Sequence, residues 1–425
     1  MKKILIIISI LPILLFSQSF LISNIPLPKV YIQNLDPYPC SERCMQEYID
    51  NDMLFSFLAH ATTKLDNEEQ NEIRTMNIVR LNLGSTILNA KLKIAMLLPY
   101  KKIGKYASST TNASFAYLIT KNQSFELKSY KIETENKEDI QKALNAIIED
   151  GFTHVIAPLT LKGATTVSEL NPNINIYFPT INKQDLNTTS SFLYFGGIDY
   201  KAQTELLIKK AVSPLVIFYD KSAIGKKLAL YEEDSFKYKY IEDTNISNEI
   251  NTSFIKNEKI EIPNRKTIKY SISRGTTNLQ NHLDKNKKIQ LASFFINTPI
   301  IKTSMIMSQL TLYDTNATNV LSTQINYDPL ILSMTQYEDR KNMLIANSIT
   351  EHKNVLVETN ALLSNDIEYD WINYTTTIGI DYFYNLMTNA SREYNIAIVD
   401  NQMLYPIELI QPSISRFIKH TSSLE

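Results

Sequence analysis

Short apolar runs and amphipathic stretches alternate along most of this chain. The runs are Leu92–Leu98, Phe125–Ile132, His154–Ala157, Ile174–Phe178 and Phe192–Gly196. Between them lie helix-period stretches near Ile103–Thr120, Lys137–Glu149, Ala164–Leu170 and Ala202–Ala211. A second series opens at Leu215–Tyr219 and continues through Thr267–Ser271, Leu291–Ile296 and Val320–Thr323. Its helices are expected near Ile224–Asp234, Leu279–Asn286 and Ile300–Tyr313. Short strands that alternate with helices predict parallel sheets joined by right-handed crossovers. Two such series in succession predict an α/β protein with two doubly wound parallel-sheet lobes, the chain crossing between them near Gly196-Gly197.

The flanks follow other periods. Cys40 to about Leu88 reads as helical, with Ser41 as N-cap of a helix that runs to about Ala61. Met53, Leu54, Phe57, Leu58 and Ala61 recur at threes and fours, and Ile73, Met76, Val79, Arg80 and Leu83 continue the period in a second helix. Such a stripe predicts core packing. Tyr238 to Arg265 is polar and weakly periodic, a loop-rich insertion in the second lobe. Near the C-terminus, "DWINYTTTIGIDYFYNLM" predicts an aromatic-rich helix, followed by a strand at Asn395–Val399 and a hairpin or short helix over Tyr405–Ile418. The expected organisation is a leader at 1–19, an extended lead-in at 20–39, a helical segment at 40–90 and a bilobed domain at 91–425, with the second lobe at roughly 197–322.

Composition narrows the function. The chain has 425 residues and a net charge of −1, which argues against nucleic acid as partner, because phosphate binding needs a basic excess. It has only 9 glycines and neither a GxGxxG nor a Walker A motif, so nothing invites a nucleotide cofactor. Met1-Lys2-Lys3, the apolar run Ile4–Phe16 and the small residues of Ser17-Gln18-Ser19 form a secretory leader with cleavage expected after Ser19. The run is shorter than the roughly 20 residues a membrane span requires. The mature chain is thus expected in the periplasm, not membrane-spanning. In that compartment Cys40 and Cys44 are expected to form a structural disulfide, with two free thiols as the alternative. Neither metal ligation nor catalysis is indicated. The five histidines are scattered, and His154 inside a strand reads as structural. Glu232-Glu233-Asp234 reads as a solvated face, and Arg340 as a surface ion pair rather than a carboxylate clamp.

One motif recurs. Acidic-x-Asn-x-Ser/Thr occurs four times, at Asn187, Asn245, Asn251 and Asn316, where composition would give on the order of one match. The form is similar to the acceptor signal of bacterial oligosaccharyltransferases, and all four sites fall in expected loops, where a bulky glycan is carried.

The segments "KIAMLLPYKKIGKYASSTTNASFAYL", "THVIAPLTLKGATTVSEL" and "NIYFPTIN" resemble the type I periplasmic binding-protein fold and are most similar to its penicillin-binding-protein activator branch. The first strand ends in Leu-Pro, a later one in Ala157-Pro158-Leu159-Thr160, and the next in a turn from Pro179 to Asn182 that is one residue shorter than the branch's pattern. The resemblance covers roughly Leu92 to Ile349. It implies a ligand cleft between the lobes, lined by Tyr100, Lys102, Thr160, Asn182 and Asp220. Amino-acid receptors of this fold hold the ligand carboxylate on free amides of the first turn and a Ser/Thr pair after the third strand. Here the first turn carries Lys101, Lys102 and only Gly104, Thr160 remains, and Asp220 is placed to meet an α-amino group. The half-present grip and the added helical segment point to a non-enzymatic periplasmic scaffold or regulator of a cell-envelope assembly, such as a cell-wall synthase, with an envelope protein as partner. The alternative is a receptor for a small polar or anionic solute such as an amino acid.

Overall fold

The computed structural model describes residues 32–36, 38–81, 83, 92–121, 123–241 and 258–421. The leader, Asn245 and Asn251 lie outside them. Contacts divide the chain into an N-terminal unit and a larger unit that begins at Ala90.

The N-terminal unit holds the helices Glu42–Asp50, Leu54–His60 and Glu68–Arg80. The Ser41 hydroxyl accepts from the Cys44 N–H at 3.4 Å, as an N-cap does. The helix expected to continue to Ala61 breaks at Asn51–Met53, where Asp52 adopts φ +55 and the Asn51 side chain donates back to the Glu47 carbonyl at 2.7 Å. A left-handed residue cannot continue a right-handed helix. The sulfurs of Cys40 and Cys44 lie at bonding distance, with Cα atoms 5.5 Å apart. Phe57, Leu58 and Ala61 are buried with Met45 and Ile32, whereas Met53, Phe55 and Met76 stay exposed, so the periodic stripe is core only in part.

The larger unit carries the strands β1 (Leu92–Leu98), β2 (Phe125–Lys131), β3 (His154–Ile156), β4 (Asn175–Phe178), β5 (Leu193–Phe195), β6 (Leu215–Asp220), β7 (Tyr238–Ile241) and β8 (Glu258–Glu261). They continue with β9 (Thr267–Ile272), β10 (Ser293–Asn297), β11 (Asn319–Ser322), β12 (Met343–Asn347), β13 (Ala397–Val399), β14 (Gln402–Leu404), β15 (Glu408–Pro412) and β16 (Phe417–Lys419). Two seven-stranded sheets form, in the orders β13-β14-β5-β4-β3-β1-β2 and β16-β15-β12-β11-β10-β6-β9. Each begins with five parallel strands wound 2-1-3-4-5, whose switch point falls between the first and third strands. Both lobes of the expected α/β fold are therefore present.

The chain passes between the sheets three times: after β5, after β12 and after β14. The second lobe therefore does not end near residue 322. It takes β12 as its fifth parallel strand and closes with the antiparallel hairpin β15–β16, the hairpin option of the two expected for Tyr405–Ile418. The polar insertion is not only loop, because β7 and β8 pair as an antiparallel ribbon.

Strand β1 is buried on both faces, as parallel strands under two helical layers are. The helices Lys137–Glu149 and Leu161–Leu170 cover one face of the first sheet through Ile140, Leu144, Ile147 and Val167. The aromatic-rich helix Trp371–Thr388 packs against the other: His154 and Phe383 meet edge to face at 4.9 Å, and the Tyr177 hydroxyl donates to the Thr375 carbonyl at 2.8 Å. Gly379 makes this approach feasible, since a Cβ there would lie 2.2 Å from the Tyr177 ring.

Two expectations for charged residues are corrected. In the helix Ala223–Lys237, positions 225, 228, 229, 232 and 236 form the buried face, so Glu232 is fully buried and accepts from Asn297 Nδ2 at 2.5 Å. Only Glu233 and Asp234 face outward, paired with Lys237, Lys269 and Lys259. Arg340 is buried rather than at the surface. Its guanidinium donates to the carbonyls of Thr335, Ser413 and Ile414 and so ties down the β15–β16 turn. Among the described residues, no helix is long and apolar enough to cross a membrane.

Candidate functional site

The carboxyl ends of the strands beside each switch point are where open α/β sheets bind ligands. A cleft of about 540 Å³ opens there. The first lobe contributes Lys102, Ile103 and Tyr106 after β1, Pro158 to Leu161 after β3, and Thr180 to Asn182 after β4. From the second lobe come Tyr200, Ile224 and Ile325, and Trp371 and Ile372 open the aromatic-rich helix at one wall. Most of this lining is apolar. Tyr200 meets Trp371 edge to face at 6.2 Å. Asp185 of the first lobe pairs with Lys227 of the second beside the cleft.

Of the five residues expected to line it, Lys102, Thr160 and Asn182 do so, and Tyr100 and Asp220 do not. Tyr100 lies in the short helix Tyr100–Ile103 with its hydroxyl 3.4 Å from Glu133, which also holds Lys101 at 2.7 Å. Asp220 is folded onto the start of the helix Ala223–Lys237, where its carboxylate accepts from the Ser222 N–H at 3.1 Å and hydroxyl at 2.5 Å. Asn182 is engaged within the protein: its amide donates to the Gly197 carbonyl at 3.2 Å and its oxygen accepts from the Gln184 N–H at 3.0 Å.

The residue that sequence reasoning missed is Glu135. It leaves the loop after β2, is buried, and lays its carboxylate across the N-terminus of the helix Leu161–Leu170. One oxygen accepts from the Thr160 N–H at 2.7 Å and the other from the Thr160 hydroxyl. Gly163 makes room for it, since a Cβ there would lie 2.7 Å from the carboxylate. An amide, a hydroxyl and a helix N-terminus together suit a carboxylate, and here the chain supplies its own. Glu135→Ala is expected to lower stability by about 2 kcal/mol, the scale of hydrogen bonds to a buried charge. Formate should restore part of the loss by occupying the vacated donors, while chloride should not. Urea unfolding with each salt checks this, and equal effects of the two salts would refute it.

The other expected sites lie apart. Asn187 and Asn316 are exposed in loops, before β5 and before β11. Intact-mass measurement of protein from its native host is expected to show glycan on at least one of the four asparagines, and a bare chain mass would refute this. Among the described residues, no cluster of His, Cys, Asp and Glu has the makings of a metal site.

No protein-family model matches the chain, and no curated protein matches it by sequence. Solved structures match it in shape. The isoleucine-bound branched-chain amino acid transporter substrate binding protein LivJ from Streptococcus pneumoniae has a TM-score of 0.53 at 9% identity, over 77% of this chain and 99% of its own. An ABC transporter substrate-binding protein from Sphaerobacter thermophilus reaches 0.54 at 11% identity, over 78% of this chain and 97% of its own. The C-domain of LpoA from Haemophilus influenzae, a regulator of PBP1A, scores 0.49 at 8% identity, over 77% of this chain and 100% of its own, a level that carries no argument. Identities this low speak for the fold alone. The strand order of both lobes, the three chain passes and the likeness to the two substrate-binding proteins agree: this chain has the two-lobed fold of the type I periplasmic binding proteins.

Proposed function

We propose that the chain is an exported, non-enzymatic binding protein that holds a small solute between its lobes in the periplasm, without the carboxylate grip of an amino-acid receptor. The observation that carries this reading is the open cleft of about 540 Å³ at the switch points, a volume within the usual range for small-molecule sites. A pure scaffold has no use for such a space, and bulky side chains would be expected to fill it. Glu135 on Thr160 argues against a free amino acid held in the usual way. Trp371 is the only tryptophan in the chain and lines the cleft, so its fluorescence reports occupancy directly. Native mass spectrometry of the protein from its host is expected to show a bound low-mass species whose removal shifts Trp371 emission. Protein that carries no such species, with emission unmoved by a broad metabolite panel, would refute the reading.

A scaffold or regulator of an envelope assembly is the second reading. It is favoured by the N-terminal unit, which leaves Phe55 and Met76 each 60% exposed. Apolar side chains on a surface suit a protein partner. Crosslinking in cells through Phe55 and Met76 should capture one envelope protein, and no specific product would remove this reading.

A further inference from the structure

The chain passes between the lobes after β5, after β12 and after β14, and a bilobed body bends only where such passes are free to change their torsions. Here side chains tie the three to one another. The Tyr405 hydroxyl, on the third pass, donates to the Gly196 carbonyl on the first at 2.8 Å. Gln402 Nε2, just before the third, donates to the Gly197 carbonyl at 3.2 Å. The second pass begins at Ser348. Its hydroxyl accepts from Gln203 Nε2 at 2.7 Å, its N–H donates to Gln324 Oε1 at 2.5 Å, and the Gln324 N–H donates to Gln203 Oε1 at 2.9 Å. This closed ring joins the second pass to the helix Tyr200–Ile208 that follows the first. Aromatic rings pack against the passes. Tyr374, 1% exposed, meets Tyr405 at 6.1 Å and Tyr394 at 5.8 Å, and Lys353, at the end of the second pass, lies over the Tyr394 ring at 5.8 Å. Tyr177 wedges in beside the first pass, where a Cβ on Gly196 would lie 1.8 Å from its hydroxyl. Close-packed groups of this kind do not deform gradually.

We infer that this brace locks the angle between the lobes and holds the cleft at one width, empty or filled. Tyr405 is its centre, since its hydroxyl holds the first pass and its ring meets Tyr374. A solute then enters and leaves with no closing step, and a partner meets the same surface in either state. The inference concerns the joint alone and stands or falls apart from the binding-protein reading above.

The test places spin labels at Glu149→Cys and Leu312→Cys, exposed ends of helices on separate lobes, and measures the distance between them by pulsed electron resonance. The chain as purified and the chain refolded from urea, which strips any bound molecule, are expected to give the same single narrow peak. Tyr405→Phe keeps the ring and removes the bond to Gly196. It should broaden the peak or add a second, and quicken amide exchange at Gly196 and Gly197 about fivefold, the weight of one hydrogen bond. These two amides bond to the Phe178 and Ile181 carbonyls of the first lobe. Tyr374→Leu, which removes a ring, should broaden the peak as well. A broad or split peak in the native chain, or one that moves when the protein is stripped, would overturn the inference. So would variants that lower the melting temperature and leave the peak unchanged, the mark of a contact that only stabilises.

Discussion

Asp381→Ala is expected to destabilise the larger unit by about 3–5 kcal/mol, the cost of breaking a buried charge pair from one side. The Asp381 carboxylate is fully buried in the helix Trp371–Thr388. It accepts from the Tyr117 hydroxyl at 2.8 Å, the Glu393 N–H at 2.7 Å and Arg392 Nε at 3.0 Å. Arg392 in turn donates to the Ile396 carbonyl at 2.5 Å. The helix of Asp381, the helix of Tyr117 and the Arg392–Glu393 stretch thus close on one carboxylate. Removing it leaves a largely buried guanidinium without its counter-charge and a phenol without its acceptor. Arg392→Met should cost a similar amount. The double variant should cost much less than the sum, since neither charge is then orphaned. Urea unfolding of the three variants checks this, and additive losses, or an Asp381→Ala loss below about 1 kcal/mol, would refute it.

The second large effect is on pH dependence. Burial holds the Glu232 carboxyl well above its ordinary 4.5. Above pH 4.5 the unfolded chain gives up this proton while the folded chain keeps it. Its contribution is therefore full below 4.5 and declines with rising pH, by about 1.4 kcal/mol per unit, until the folded value is passed. His154 acts in the opposite sense. Burial lowers it from 6.5 to about 4, and its two nitrogens, 3.0 Å from Thr153 Oγ1 and 3.1 Å from Asn175 Nδ2, suit a neutral ring that donates once and accepts once. Its contribution is full above 6.5 and is lost as pH falls toward 4, at the same slope. Between 4.5 and 6.5 the two cancel. Glu232→Gln keeps the acceptor for Asn297 and should gain stability over the native chain as pH rises above 5, at about 1.4 kcal/mol per unit until the folded value is passed, after which the gain levels off. His154→Gln should lose less than the native chain on acidification. Unfolding free energies at pH 5, 6, 7 and 8 check both, and parallel curves for variant and native chain would refute the assignment.

The alternation of apolar runs and helical stretches determined the two lobes, because a strand buried on both faces must be apolar throughout and its crossover helix must be amphipathic. Those signals are local, and the sequence carries them without help. The same local reading placed Thr160 and Lys102 at strand ends, hence at the cleft. It placed His154 in a strand, and the histidine is satisfied there by its neighbours. The buried face at Gly225, Leu228, Ala229, Glu232 and Phe236 was also legible as a helical period, but an acidic run outweighed it. Side-chain partners were not legible. Asp220 looked free in the sequence and is spent on its own helix start. Glu135 is one acid in "ETEN", with nothing local to mark it, and it reaches Thr160, 25 residues on, only because the β2 and β3 ends lie close in the folded sheet. Only the tertiary structure decided whether Thr160 was free to hold a ligand, because a hydrogen-bond donor has finite capacity and the sequence does not say which acceptor arrives first.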